Sequence, residues 1–133
     1  MNLPDSSGQT VLHRVAQSGS EDLLKLLLER DVEVNQHNHE GQTALHKAVI
    51  SESTNKIKLL LDAGFNVNHL DNYGQSPGHY YLSERKANID VVVLVLKSGV
   101  DVNLCDKSGK TMLDYTCLYH RVHTTILLKK ITF

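Results

Sequence analysis

The nine-residue phrase "GQTVLHRVA" (Gly8 to Ala16) returns after 33 residues as "GQTALHKAV" (Gly41 to Val49), and after 33 more as "GQSPGHYYL" (Gly74 to Leu82). A fourth version, "GKTMLDYTC", begins at Gly109. A fixed period of this length marks a chain built by stacking one supersecondary unit, and it constrains the fold more than any other feature. The units run 5–37, 38–70, 71–105 and 106–133; the third carries two extra residues near Ser83–Asp90, and the fourth stops early. One unit cannot bury its own apolar face. Neighbours must supply the core, so the expectation is a single domain over residues 1–133.

Each unit reads as helix, turn, helix, turn. Thr10, Thr43, Ser76 and Thr111 stand where a hydroxyl caps a first helix. Pro77 follows Ser76 at the first helical position, where its missing N–H costs nothing. The second helices carry dense apolar runs, "DLLKLLLE", "KIKLLLD" and "VVVLVLK". Gly64 and Gly99 then supply the positive φ of a helix C-terminus. "VEVN", "FNVN" and "VDVN" lead into the next unit through Asp/Asn and Gly, which is turn chemistry.

This pattern resembles the ankyrin repeat. The residues that carry the resemblance are "G-x-T-x-L-H" in units one and two, "G-x-S-P-x-H" in unit three, "G-x-T-x-L-D" in unit four, and the "LLLDAGFNVN" and "VLKSGVDVN" stretches. The implied fold is all-α, a solenoid of stacked helix-turn-helix units joined by hairpin loops. The segment "SPGHYYL" and the longer "SERKANIDVVVLVLKSG" are also similar to ankyrin repeats of large DNA viruses such as poxviruses.

Two features of the phrase suggest chemistry and yield to packing. His13, His46 and His79 occupy one equivalent point. Stacked helices lie roughly 10 Å apart, whereas zinc ligands converge to about 2 Å from one ion. The resemblance implies instead that each histidine bonds neighbouring backbone. Gly78 replaces Leu12 and Leu45, while Tyr81 replaces Val15 and Ala48. Positions i and i+3 share a helical face, so the expectation is that the Tyr81 ring fills the space of the missing leucyl group. A ligand pocket beside Gly78 is the sharper alternative.

Other classes find little support. Cys117, His120 and His123 lack a fourth ligand for structural zinc. "GQSPG" lacks the Gly-Lys-Ser/Thr ending of a phosphate loop. No set of catalytic carboxylates and no nucleophile with an oxyanion hole is apparent, so no enzyme, cofactor or metal is expected. A net charge of −1 gives no general attraction to nucleic acid or to an anionic membrane. No apolar run is long enough to cross a bilayer. The two cysteines form no framework, and no signal peptide is apparent, so a cytoplasmic or nuclear setting is expected.

What remains is a surface. The resemblance implies that a partner protein meets the hairpin tips and the exposed face of the first helices. The matching candidates are His37, His39, Glu40, Gln42, Ile50, Leu70, Asn72, Tyr73, Gln75, Lys107, Lys110, Leu118 and Tyr119. Apolar and aromatic side chains on such a face are the usual energetic anchors. The expected function is a protein-interaction module, an inhibitor or adaptor. The alternative is the ankyrin segment of a larger enzyme or of a ubiquitin-ligase substrate receptor, with a viral origin compatible with either. Asn35, with Leu27 and Glu33 upstream, fits the implied pattern for asparagine hydroxylation. The apolar end "TTILLKKITF" points to self-association through the C-terminal repeat.

Overall fold

A computed structural model describes residues 5–30, 36–84 and 88–118, with backbone alone for 116–118. Among the described residues there are seven helices, three pairs and one more: α1 (Val11–Ser18) and α2 (Glu21–Leu28), α3 (Ala44–Ser51) and α4 (Thr54–Asp62), α5 (Pro77–Ser83) and α6 (Ile89–Lys97), then α7 (Met112–Leu118). Among the described residues there is no strand. The fold is the expected all-α stack. The first helices α1, α3, α5 and α7 pack in sequence, and the second helices α2, α4 and α6 lie behind them.

The recurring phrase is a helix start with its own cap. The Thr10 N–H donates to His13 Nδ1 at 3.2 Å, and the His13 N–H donates back to Thr10 Oγ1 at 3.4 Å. In unit two the Thr43 N–H donates to His46 Nδ1 at 3.3 Å, and in unit three the Ser76 hydroxyl accepts from the His79 N–H at 3.3 Å and lies 2.9 Å from His79 Nδ1. In unit four Asp114 replaces the histidine, and its carboxylate accepts from the Thr111 N–H at 2.9 Å. This reciprocal pairing satisfies two otherwise orphaned donors. The opening glycine of the phrase has its own reason. Gly41 has φ +78°, and a Cβ there would meet the Asn72 side chain at 2.6 Å and its backbone nitrogen at 2.8 Å.

The core is a continuous strip through the units. It includes Leu24, Leu45, Ile57, Leu60, Val92 and Val95, with Leu12 and Leu113 partly buried against it. Lys56 ties two units together from within: its Nζ donates to the Gly19 carbonyl at 3.0 Å, capping the end of α1. Burial pushes the pKa of Lys56 down, and Glu21 opposes that shift.

The space beside Gly78 is not where the sequence places it. A Cβ at Gly78 would meet Met112 Cε at 2.9 Å, Met112 Sδ at 3.0 Å and Val95 Cγ1 at 3.1 Å. Met112 of unit four fills the gap, not Tyr81, and there is no pocket. Tyr81 is buried for another purpose. Its hydroxyl donates to Glu52 Oε1 of unit two and accepts from the Asn88 N–H, both at 2.8 Å. Glu52 itself ends α3 in a left-handed conformation, φ +61°.

Candidate protein-interaction site

The hairpin tips form a ribbon along one edge of the stack. Each tip closes on itself: Asn38 Oδ1 accepts from the Glu40 and Gln42 N–H groups, and Asp71 Oδ1 from those of Tyr73 and Gln75. Asp5 and Asp106 do the same in units one and four. Side-chain capture of nearby backbone N–H groups is what Asp and Asn do in turns. Each tip then bonds to the next. His39 N–H donates to the Ser7 carbonyl, Asn72 N–H to Glu40, and Lys107 N–H to Tyr73, all at 2.9 Å. The exposed side chains of the ribbon therefore stand on backbone locked from both sides.

The histidines join tip to helix. His13 Nε2–H donates to the Gln42 carbonyl at 2.7 Å, His46 Nε2–H to Gln75 at 3.0 Å, and His79 Nε2–H to Leu104 at 2.7 Å. Nδ1 accepts at the cap, so the neutral ring with Nε2–H fits both bonds. The expected backbone role is borne out. Burial pushes the His46 pKa down to about 4, against the pull of the Gln75 carbonyl. His13 and His79 are lowered for the same reason.

A second network lies under the tips. In unit four Tyr115 donates its hydroxyl to Asp106, and Gln75 Nε2 donates to the Tyr115 oxygen at 3.1 Å. Burial disfavours ionised Asp106, but hydrogen bonds from Tyr115, Ser108, Lys110 and Gln75 outweigh it and hold the carboxyl well below the usual range. In unit one the Arg14 guanidinium lowers Asp5 likewise, across a 2.6 Å contact. Asp71 has no such donor. Its Oδ2 is buried without a hydrogen bond, and burial raises its pKa.

These networks sort the expected contact residues. His37, His39, Glu40, Asn72 and Lys107 are exposed, with Leu70 43% and Tyr73 59% exposed. Gln42 is a correction: it is 1% exposed, and its Oε1 accepts from Asn38 Nδ2 inside the stack. Gln75 is half-buried and engaged with Tyr115. Ile50 is half-buried against the core, and Lys110 holds its Nζ 5.9 Å above the Tyr115 ring. Leu118 ends α7, while Tyr119, Asn35 and the apolar C-terminal run lie outside the described residues.

Sequence reasoning missed the sixth position after each tip glycine: Arg14, Lys47, Tyr80 and Tyr115. These line the inner face beside the ribbon. Tyr80 packs 6.0 Å from the His46 ring, with Lys47 Nζ 5.9 Å from its own ring. The repeat register alone could have identified them. Tyr73, Gln75, Asp106, Lys107, Ser108 and Tyr115 together line an open hollow of about 410 Å³ between the tips of units three and four. A second open groove, about 500 Å³, runs on the opposite side between α4 and α6, with Lys58 and Lys97 among its lining residues.

Paired helices, capped by Thr/Ser and His and joined by interlocked tips, define a helical repeat solenoid with a presented edge. The chain belongs to the ankyrin repeat family. A family model described as "Ankyrin repeats (3 copies)" matches residues 1–71, and one described as "Ankyrin repeats (many copies)" matches residues 60–115. The chain is also similar to the putative ankyrin repeat protein YahD of Escherichia coli (strain K12), 40% identical over 45 residues. That stretch covers 34% of this chain and 22% of the relative. Ankyrin repeats are generally protein–protein interaction modules and typically not enzymes.

Proposed function

We propose that the chain binds a partner protein along the strip of hairpin tips and inner helices, and acts by occupying or positioning that partner, as an inhibitor or adaptor. The observation that carries this reading is the hollow between the third and fourth tips. An exposed tyrosine, Tyr73, and a cation, Lys107, stand at a recess whose inner wall, Tyr115–Asp106–Gln75, is fixed by internal hydrogen bonds. Rigid aromatic anchors beside a recess concentrate binding energy, and their truncation typically costs 2 kcal/mol or more (about 30-fold in Kd). Leu70 extends the apolar part of the strip. The proposal places the protein in the cytoplasm or nucleus, where the exposed thiol of Cys105 stays reduced.

The test is retention of proteins from cytosolic extract on the immobilised full chain. Tyr73→Ala and Leu70→Ser are expected to lose a partner that the wild type and the outer-groove variants Lys58→Ala and Lys97→Ala keep. Equal retention by the tip variants, with loss in the outer-groove variants, would overturn the reading.

A further inference from the structure

The hollow between the third and fourth tips has its acceptors occupied and its cations free. Asp106 receives five donors: the Ser108 N–H, the Ser108 hydroxyl and the Lys110 N–H on Oδ1, and the Tyr115 hydroxyl and Gln75 Nε2 on Oδ2. An ionised carboxylate has about four lone-pair sites, so none is left for an amino group arriving from outside. Asp71, in the neighbouring tip, is 6% exposed; its Oδ1 takes two backbone N–H groups, and its Oδ2 is buried beyond a partner's reach. The charge at the surface is positive. Lys107 is exposed, and its stem lies against the third tip, where a Cβ on Gly74 would be 3.3 Å from Lys107 Cγ. Lys110 holds its Nζ 5.9 Å from the Tyr115 ring, and Lys47 holds its own 5.9 Å from the Tyr80 ring on the adjoining inner face. Among the described residues the one ion pair is Arg14 with Asp5, in unit one, so none of these three lysines is paired there. Asp114 is engaged with the Thr111 N–H at the start of α7. Glu40 is exposed on the ribbon, one tip away.

We infer that the partner segment received here is acidic: an Asp or Glu side chain beside Lys107 and Lys110, with an adjacent apolar side chain against the Tyr73 ring. The inference rests on the edge being the partner site and names the chemistry that site takes. A carboxylate brings acceptors to ammonium groups that lack them, and such charge-assisted bonds are the stronger kind. A basic segment would meet like charge and find no free acceptor, and its donors would lose water without replacement. Asp71 and Asp106 offset part of the lysine charge at a distance, so the discrimination is made at contact, within the reach of salt screening. Glu40 sets the direction of the segment. Its charge repels acidic residues from the second tip, so the acidic part lies over units three and four.

The test is selection of phage-displayed random dodecapeptides on the immobilised full chain, followed by fluorescence anisotropy of the enriched peptides in solution. The expected peptides carry Asp or Glu next to an apolar residue. Changing that acid to its amide should weaken binding about fivefold, the scale of an exposed ion pair, and Lys107→Glu should weaken it at least as much. A peptide with Lys in place of the acid should bind Lys107→Glu more tightly than it binds the wild type, a reversal that a misfolded variant does not give. Peptides that are lost with Tyr73→Ala but are neutral or basic would overturn the acidic assignment and leave the edge as the site. Peptides indifferent to Tyr73→Ala and lost with Lys58→Ala would overturn the edge reading, and this inference with it. Displacement by a single-stranded oligonucleotide as readily as by unlabelled peptide would mark a general polyanion surface and overturn the inference as well.

Discussion

A leucine at position 78 would need room the protein does not have. Gly78 faces Met112 of the next unit, and in the repeat register the corresponding pairs are Leu12 with Ala44 and Leu45 with Pro77. The first two register pairs combine a large residue with a smaller one, and the last reverses the order. Gly78→Leu is therefore expected to destabilise by about 1–3 kcal/mol, the cost of overpacking. Met112→Ala should cost about 2–5 kcal/mol. The double variant recreates the Leu–Ala pair of units one and two, and should recover about 1 kcal/mol or more in a urea double-mutant cycle. Additive effects would show that Met112 does not fill the Gly78 space. Asp71 offers a second test. Asn38 makes the same tip and also donates its amide to Gln42, while Asp71 buries an oxygen without a donor. Asp71→Asn should stabilise at neutral pH by about 1 kcal/mol, read as a higher urea midpoint. Caps, C-terminal glycines and the structural histidines were all legible in the sequence, because each is encoded within one unit. The Gly78–Met112 exchange and the burial of Gln42 were not, because both depend on what the neighbouring unit presents.

At the scale of the helix, the histidines make stability depend on pH in a fixed direction. His46 has an unperturbed pKa of 6.5 and is pushed down to about 4 in the folded protein. Above pH 6.5 both states are neutral and nothing is lost. Between about 6.5 and 4 the unfolded chain takes up a proton that the folded chain refuses, so stability falls as pH falls. At about 1.36 kcal/mol per pKa unit the full loss for His46 is on the order of 3 kcal/mol. His13 and His79 shift the same way and add to it. Asp71, raised by burial, works in the opposite direction, and Asp5 and Asp106 contribute only below the ordinary carboxylate range. Urea midpoints should therefore drop steadily from about pH 6.5 to pH 4.5. A flat profile over that interval would mean the three rings are not buried neutral between units. Lys56 is a similar tie: Lys56→Met should cost about 1–3 kcal/mol by leaving the Gly19 carbonyl without its donor.

At the scale of the whole molecule, the described residues form a stack with a locked ribbon of tips along one edge and an open groove between α4 and α6. The fold was legible almost entirely from the period, since stacking is the only way such units gain a core. The candidate edge was only half legible. Tyr73, Leu70, His39 and Lys107 follow from tip positions; Tyr80 and Tyr115 share the sixth position after a tip glycine, which the repeat register holds but which reads as a helix position rather than a tip. The central claim is that partners meet this edge. Site-specific photo-crosslinking tests it most directly, with a photoreactive residue placed singly at His39, Tyr73 or Lys107 on the edge and at Lys58 or Lys97 in the outer groove. The expected result is one common partner captured from all three edge positions and from neither outer position. Capture from Lys58 and Lys97, with none from the edge, would contradict it.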